Sequence, residues 1–468
     1  MFRKKILLGI TSLLAIMGTG TICLLNSNET DVKTVFAEQE VVNNDTETPC
    51  LTLTVNKIQK SDGAVVSKIF EQNIISQDDA NEAIRAAKKM ITEKRAYGST
   101  YTSETTCKLL KNCNLDLSDF DKGRVIINLD GHTFTITHEN SWNFYEGLTI
   151  EGVGGTITTS KQPTSVFELL GYSTNLIVKD TKFKNFDCRG CPIFQIKGNE
   201  KKNIIPNITF ENCEFDNCSS SRYGGVIYAF SAKDLKFNNC KFNNCSSKYG
   251  GAIYVENECG YESLFENCTI SNCTAKYGGF IYYDFAIDLL ERHKVTTFKN
   301  CNVINCSATN GGFAYVDNEG QDLVFENTTI EGSTAVEKGG AIYLSQCSSN
   351  IKNLVATNCS AQNGGAVYIF KKDCGVYSSI FNNCSASDKG NAIYCNSNKY
   401  TSSDNQFINC NKSTSGGDSP AEVTEIIIET KEAPFQTPVW IMGSIALAAI
   451  VGSTVAICFL FKKKRKAN

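Results

Sequence analysis

Four residues in one short segment carry the side-chain types that acid–base catalysis uses. Asp284, Asp288, Glu291 and His293 lie together between two copies of a repeated glycine phrase. Hydrolysis of a glycosidic bond needs two carboxylates at a set separation, and a calcium-dependent lyase needs an acidic cluster beside a basic residue. A polysaccharide-active enzyme is therefore one hypothesis. A solvated loop has the same composition, so these residue types alone do not establish catalysis.

The sequence predicts no metal site and no cofactor. The whole chain has only 3 histidines, and Cys188 and Cys191 form one isolated Cys-x-x-Cys motif. A zinc site needs four ligands at matched spacings, and no such set is present. A second acidic group, Asp317, Glu319 and Asp322, is typical of plain surface.

The elements that would position these residues follow from a repeated phrase, Gly-Gly-Ala-Ile-Tyr. Its copies begin 26, 28, 33, 28, 25 and 26 residues apart, and most follow a second phrase such as Phe237–Cys245. A fixed period of this size indicates stacked units rather than one globular core. The sequence predicts an all-β fold: a right-handed parallel β-helix (a solenoid) over 124–410, with roughly eleven coils of three short strands each.

Each repeated residue has a predicted structural role. The Phe column is expected to fill the interior, and asparagines such as Asn217 and Asn244 are expected to face inward and bond to one another. The paired glycines would allow a turn, either by adopting positive φ or by allowing close contact between coils. These structural glycines are Gly224, Gly225, Gly250, Gly251, Gly278, Gly279, Gly311, Gly312, Gly339, Gly340, Gly364, Gly365 and Gly390.

The cysteines suggest disulfides in an oxidising compartment. The chain has 22, of which Cys23 and Cys458 lie in the terminal apolar segments. Three arrangements fit the repeat cysteines: bridges within a coil, bridges between stacked coils, or columns of buried free thiols. The disulfide candidates are Cys213, Cys218, Cys240, Cys245, Cys268, Cys273, Cys301 and Cys306. Cysteines outside the repeat, including Cys50, Cys107 and Cys113, are expected to form bridges in caps and loops.

The two ends of the chain predict its topology. Residues 1–25 have a basic start and an apolar run, typical of a secretory signal, with cleavage as late as residue 37. An uncleaved N-terminal anchor is the alternative. Residues 439–461 are uncharged and long enough to span a bilayer, and the basic tail at 462–468 marks the cytoplasmic side. We expect a single-pass type I protein of the plasma membrane, with its ectodomain outside the cell.

Two further segments complete the predicted organisation. Residues 38–123 are predicted to form an N-terminal cap region. It begins with a mixed polar stretch, continues with a helix over 76–95 and ends with a loop. The helix would cover the open strand edge of the solenoid. Residues 411–438 are rich in Ser, Thr, Gly, Glu and Pro and are expected to form a polar stalk. Asn28, Asn44 and Asn411 lie outside the array and are the predicted glycan acceptors.

Charge excludes some partners. The formal net charge is −3, although the signal and the tail are basic, so the segment between them is strongly acidic. Such a segment repels nucleic acid and anionic membrane surfaces. The predicted partners are therefore the membrane, through one span, and an extracellular protein or glycan. Lateral self-association is a further possibility, and nucleic acid is not expected.

The two phrases resemble those of the polymorphic outer-membrane protein (Pmp) family, whose repeats carry GGA[I/L/V] and FxxN. Here they read Gly250–Ile253 with Phe237–Cys240, and Gly339–Ile342 with Phe325–Thr328, and the resemblance covers about 183–410. Bacterial members export this region through their own C-terminal domain. In this sequence, one apolar segment and a basic tail stand in that place. The chain is therefore more similar to the single-span, cysteine-rich Pmp-like surface proteins of parasitic protists. That resemblance implies a candidate adhesin.

The coils differ most just after each glycine phrase, which is where we predict ligand binding. Aromatic residues in these loops could stack on glycans or pack on proteins, or could instead shield the coil edges. The binding candidates are Tyr261, Tyr283, Phe285, Phe370 and Tyr377. The sequence therefore favours an adhesin or recognition protein. The alternative is a lyase or glycoside hydrolase of the pectin-lyase-like β-helix class.

Overall fold

The computed structural model describes residues 48–410 with short gaps at 95, 97–99, 121–122, 171–174, 199–205, 231, 233, 257–261, 285–293, 318–319, 347, 372 and 397–399. Outside the described residues lie the predicted signal, stalk, membrane span and tail, and the acceptor candidates Asn28, Asn44 and Asn411. Among the described residues, no helix is long and apolar enough to cross a membrane.

The described part begins with an antiparallel hairpin and a helix. The hairpin strands are β1 (Leu51–Gln59) and β2 (Val65–Ile74), in a stretch for which the sequence predicted no strands. Helix α1 (Gln77–Glu93) follows, inside the predicted 76–95. Its predicted capping box is present: the Ser76 hydroxyl accepts from the Asp79 N–H, and the Asp79 carboxylate accepts from the Ser76 N–H. The buried face of α1 belongs to the same core as the hairpin and consists of Ala80, Ala83, Ile84, Ala87 and Ile91.

The loop predicted around Cys107 and Cys113 is wrong. These cysteines lie in strands β3 (Tyr101–Leu109) and β4 (Cys113–Leu115). Strand β3 pairs antiparallel with β1 and parallel with Arg124–Asn128, so the stacking begins before residue 124. Inward-facing residues of β3 include threonines as well as Cys107 and Leu109, and this mixture hides the alternation of buried and exposed positions in the sequence.

The stacked strands form four faces along the solenoid. The first face continues from β3 through Arg124–Asn128, Leu148–Glu151, Asn175–Lys179, Asn207–Glu211, Leu235–Asn238, Glu262–Glu266, Lys294–Lys299, Gln321–Glu326, Asn350–Lys352, Gly375–Tyr377 and Thr401–Ser403. The second face continues from β4 through Thr133–Ile136, Thr156–Thr159, Lys182–Cys188, Glu214–Ser220, Lys241–Asn243, Thr269–Ser271, Asn302–Ile304, Thr329–Glu331, Val355–Thr357, Ile380–Asn382 and Gln406–Ile408.

The third face is a separate row of strands only in the regular part of the array. Before that, the long strands Lys182–Cys188 and Glu214–Ser220 continue into it, and Ser219 pairs with Ser246. The separate row comprises Ser246–Tyr249, Thr274–Tyr277, Ser307–Asn310, Thr334–Lys338, Ser360–Asn363 and Ser385–Lys389. The fourth face follows the paired glycines or the equivalent earlier turn, and comprises Trp142–Phe144, Phe167–Leu169, Phe194–Lys197, Ile227–Phe230, Ile253–Glu256, Ile281–Tyr283, Ala314–Val316, Ile342–Leu344, Val367–Ile369 and Ile393–Cys395.

The regular coils therefore have four strands where three were predicted. An asparagine with positive φ, such as Asn244 at 52°, separates the second face from the third. The fourth face has 10 strands, so the solenoid makes about nine turns. Roughly eleven coils were predicted, and the first and second faces each continue for one further strand at either end, where the coils lack the fourth face.

Stacking of identical residues builds the interior. Phe210, Phe237, Phe265, Phe298 and Phe325 are aligned in register on the first face, as predicted. Their rings are buried and stacked, with centroids 4.7 Å apart between Phe237 and Phe265 and 4.8 Å apart between Phe265 and Phe298. Aromatic stacking adds to the burial of apolar surface, so this column is a major source of stability.

The asparagines do not face inward, and that prediction is wrong. Asn217, Asn244 and Asn272 are exposed at the corners, each with φ between 52° and 55°. Asparagine tolerates this left-handed backbone better than most residues with a side chain. The side-chain ladder itself exists on the outside: the Asn217 amide donates to the Asn185 side-chain oxygen at 3.0 Å. The Asn-x-Ser/Thr sequons within the repeat, such as the one at Asn244, therefore have their asparagines exposed at the surface.

Candidate binding edge after the paired glycines

The paired glycines turn the chain from the third face into the fourth. The sequence left two reasons for them open, and both apply at the first glycine. Gly250 has φ of 61°, in the left-handed region, and a Cβ there would also lie 2.8 Å from the Tyr282 nitrogen of the next coil. Gly251 does not have positive φ and is selected by crowding alone. A Cβ on Gly251 would lie 2.0 Å from the carbonyl oxygen of Gly279 in the next coil. The last copy has Asn391 at the second position, and no further described strand stacks on that edge of the fourth face.

The tyrosine that ends each phrase lies outside the interior. Its neighbours Ile253 and Val255 belong to the interior core, so Tyr254 between them points away from it. The tyrosines are nevertheless largely buried, because each ring stacks on the next, for example Tyr254 on Tyr282 at 5.4 Å between centroids. The column comprises Tyr228, Tyr254, Tyr282, Tyr315, Tyr343, Tyr368 and Tyr394. We call it the tyrosine column.

A second aromatic row flanks this column on the side of the third face. Tyr223, Tyr249 and Tyr277 pack against it, with Tyr249 at 5.4 Å from Tyr282. The preceding residue in each case is a cation placed over the ring, as with Lys248 at 5.2 Å from the centroid of Tyr249. A cation over an aromatic face is attracted by the ring quadrupole. The side of the tyrosine column that adjoins the third face is therefore positively charged.

Carboxylates lie on the other side, just after the tyrosines. The Tyr228 hydroxyl donates to Glu256 and the Tyr254 hydroxyl donates to Asp284. The Tyr282 hydroxyl lies 3.5 Å from an Asp284 oxygen and 3.3 Å from an Asp317 oxygen. Glu256, Asp284 and Asp317 thus form a row along three successive coils, which we call the carboxylate row.

The row continues as an edge of mixed chemistry. The Gln346 amide donates to Asp317 at 2.9 Å, and the Lys371 ammonium donates to the Gln346 oxygen at 2.5 Å. Phe370, next to Lys371, is 40% exposed. We call Glu256, Asp284, Asp317, Gln346 and Phe370–Lys371 the lateral edge. It offers acceptors, a donor and an apolar ring along one side of the solenoid.

Among the predicted binding residues, Phe370 lies on the lateral edge. Tyr283 was a wrong choice: it is fully buried, and its hydroxyl bonds to Thr296 at 2.7 Å inside the solenoid. Strand alternation explains this, since Tyr283 follows the outward Tyr282. Tyr377 is partly exposed but lies on the first face, where its hydroxyl bonds to Thr401. Tyr261 and Phe285 fall outside the described residues.

Among the predicted catalytic residues, Asp284 belongs to the carboxylate row, whereas Asp288, Glu291 and His293 fall outside the described residues. The second acidic group is divided. Asp317 joins Asp284, but Asp322 is nearly buried on the first face, where it bonds to Lys352 at 2.9 Å. Sequence reasoning missed Glu256, Tyr254 and Tyr282. The sequence did contain a signal for this row, because each of its carboxylates lies two residues after a repeated tyrosine.

The repeat cysteines form two columns of buried thiols. The Cys240 thiol contacts those of Cys213 and Cys268, and it also donates to the Phe210 carbonyl oxygen at 3.6 Å. These thiol contacts and burial raise the pKa of Cys240. The contacts run along the columns rather than across a coil, so bridges within a coil do not fit, whereas buried free thiols and bridges between stacked coils both do. The columns comprise Cys213, Cys240, Cys268 and Cys301, and Cys218, Cys245, Cys273 and Cys306.

A hollow on the third face lies beside the glycine turn. It has a volume of about 340 Å³ and is lined by small hydroxyl and methyl side chains, including Thr274, Ser307 and Thr334. Within the described residues, no group of three or more His, Cys, Asp or Glu side chains could hold a metal ion. The described surface of this region thus offers hydrogen bonds and aromatic contacts.

Comparison with known families supports the fold. The family model described as a right-handed β-helix region matches residues 165–318, which is less than half of the chain. This match indicates the hand of the solenoid and supports a β-helix repeat family. Comparisons with curated proteins and with solved structures found no match. The class that fold and comparison define together is a right-handed parallel β-solenoid.

The buried tyrosines predict a loss of stability in alkali. Burial raises the pKa of Tyr368 from 10.0 to about 12. The unfolded chain therefore releases this proton first, so the free energy of unfolding should fall as pH rises from 10 to about 12. We expect tyrosinate absorbance to rise together with loss of the β circular dichroism signal. Tyr368→Phe should lessen the loss over this range. Ionisation of all tyrosines near pH 10 with the fold intact would contradict this.

Proposed function

We propose that this protein is a membrane-anchored cell-surface adhesin or recognition protein that binds an extracellular protein or glycan through the lateral edge. The observation that carries the proposal is the contrast between interior and edge. Interior positions repeat from coil to coil, as the Phe column does. The position two residues after the tyrosine instead changes from Glu256 to Asp284, Asp317, Ser345 and Phe370. Variation confined to one side of a regular scaffold is typical of a binding surface.

The chemistry of the edge suits a hydroxyl-rich or polar ligand. Tyrosine hydroxyls hold the carboxylates of the row in place, so little side-chain entropy is lost when a ligand donates a hydrogen bond to them. Phe370 adds an exposed ring that a sugar or an apolar side chain could cover. This combination of fixed acceptors and one aromatic anchor supports recognition of either ligand class.

The topology proposal rests on the ends of the chain. The basic start, the uncharged segment at 439–461 and the basic tail support export, a single type I span and a plasma-membrane location. Residues 411–438 would serve as the stalk, and α1 would cover the first coil of the solenoid. We also propose that exported protein carries glycans, and that it belongs with the Pmp-like surface proteins.

A polysaccharide-active enzyme is the second candidate, and one observation favours it. Because Tyr282 hydroxyl contacts both Asp284 and Asp317, these carboxylates are close neighbours. Two nearby carboxylates are the catalytic pair of a glycoside hydrolase. Asp284, however, also accepts from the Tyr254 hydroxyl and Asp317 accepts from the Gln346 amide, which suits a structural or binding role equally.

One experiment separates the two candidates. The full-length protein in detergent micelles would be tested on glycan arrays, matrix proteins and cells, and in parallel for release of reducing or unsaturated sugars from polysaccharides. We expect saturable binding without sugar release. Turnover that Asp284→Asn abolishes would instead establish the enzyme and refute the adhesin proposal. Absence of both binding and turnover on every surface would also count against it.

A further inference from the structure

Two cysteines outside the repeat lie in direct contact at the N-terminal end. The Cys50 and Cys113 sulfurs are 3.2 Å apart, although the residues are separated by 63 positions in the chain. Both side chains are buried, at 6% and 3% exposure. A disulfide has a sulfur–sulfur distance of about 2.05 Å, so a shift of about 1 Å would allow the bond to form.

The two residues belong to different parts of the fold. Cys50 immediately precedes β1, and its backbone bonds to Ile74 at the end of β2 and to Leu110 after β3. Cys113 begins β4, which pairs in parallel with Thr133–Ile136 and so belongs to the second face of the solenoid. A bond between these sulfurs would therefore join the hairpin covalently to the first coil.

This pair differs from the repeat cysteines in having one partner each. Within the columns, a thiol such as Cys240 contacts one neighbour above and one below, so no unique pair is defined. Cys50 and Cys113 contact each other, and the hydrogen bond from Cys113 lowers the pKa of Cys50 to about 7. A thiolate is the form that attacks a disulfide, so Cys50 is suited to begin exchange.

We propose that Cys50 and Cys113 form a structural disulfide that fixes the N-terminal hairpin and α1 to the solenoid. The oxidant is a small-molecule disulfide such as oxidised glutathione. Cys50 thiolate attacks one of its sulfurs, forming a mixed disulfide and releasing one glutathione thiolate. Cys113, after losing its proton to solvent, attacks the Cys50 sulfur and releases the second glutathione thiolate. The exchange takes place during folding, before the pair is buried.

Peptide mapping tests the pairing directly. The full-length protein would be equilibrated with reduced and oxidised glutathione, alkylated without reduction and digested with trypsin. Cleavage separates the three N-terminal cysteines, because Cys50 lies in the peptide ending at Lys57, Cys107 in the one ending at Lys108 and Cys113 in the one ending at Lys122. We expect the first and third peptides to be linked. Alkylated Cys50, or Cys50 linked to Cys107, would overturn the proposal.

A second measurement tests the effect on the hairpin. Closing a loop of this length restricts the unfolded chain, so reduction should increase the rate of tryptic cleavage at Lys57 and Lys60 roughly tenfold. Cys113→Ser should reproduce that increase in the oxidised protein. Cys107→Ala, a change at a buried cysteine of the same core, should leave the linked peptides and the cleavage rate unchanged. Equal cleavage of oxidised and reduced parent protein would contradict the structural role.

Discussion

Gly251→Ala is expected to unfold the middle of the solenoid, with a loss of at least roughly 4 kcal/mol in the free energy of unfolding. The added methyl would lie 2.0 Å from the Gly279 carbonyl oxygen and 2.8 Å from that of Thr274. Both are backbone atoms of the next coil, so no side chain can rotate to make room. The coils would have to separate locally, and their hydrogen bonds would break. Chemical denaturation followed by circular dichroism measures the loss.

Gly190→Ala is the matched control for this change. The nearest heavy atom to a Cβ at Gly190 is 4.0 Å away, an ordinary contact, and its φ is not in the left-handed region. We expect a change within about 0.5 kcal/mol of the parent protein. If Gly251→Ala is as stable as Gly190→Ala, close coil contact is not the reason for the second glycine.

Phe265→Ala is expected to cost about 3–5 kcal/mol, because it leaves a cavity in the middle of the Phe column. The Phe265 ring stacks between Phe237 and Phe298 and meets the edge of Phe280 at 5.7 Å. The solenoid backbone holds these rings in register, so the neighbours cannot move to fill the space. Urea or guanidinium unfolding of the purified protein gives the difference.

Phe370→Ala removes the same atoms from an exposed position. Phe370 is 40% exposed on the lateral edge, so its loss should cost less than about 1 kcal/mol. The comparison separates burial from residue type. A loss for Phe265→Ala no greater than that for Phe370→Ala would mean that the Phe column is not the stabilising interior.

The interior of this fold could be predicted because each coil repeats the same environment. The phenylalanine phrase therefore reports the same requirement in successive coils, as Phe237, Phe265 and Phe298 do. Helix α1 could also be predicted, since its capping box and apolar face are local signals. The reasons for the paired glycines could not be separated from the sequence, because positive φ and close contact between coils both select for glycine.

Other features depend on geometry that the pattern does not contain. Asparagine is common both at left-handed turns and in ladders, so the sequence did not show that Asn217 faces outward. Tyr283 faces inward because it follows an outward-facing tyrosine. A shift of one residue along the strand would reverse both orientations. The carboxylate row was missed for a similar reason. Asp284 and Asp317 are 33 residues apart in sequence, and only the stacking of one coil on the next brings Asp317 to the Tyr282 hydroxyl beside Asp284.

The most direct test of the central claim compares binding by two triple variants. The edge variant carries Asp284→Asn, Asp317→Asn and Phe370→Ala; the control carries Glu326→Gln, Glu331→Gln and Val66→Ala, which are exposed residues elsewhere on the surface. Saturation binding of both variants is measured on the glycan or matrix protein to which the parent protein binds. We predict that the edge variant loses roughly tenfold or more in affinity at unchanged stability, whereas the control binds as the parent does. Full binding by the edge variant, or equal loss by the control, would contradict recognition through the lateral edge.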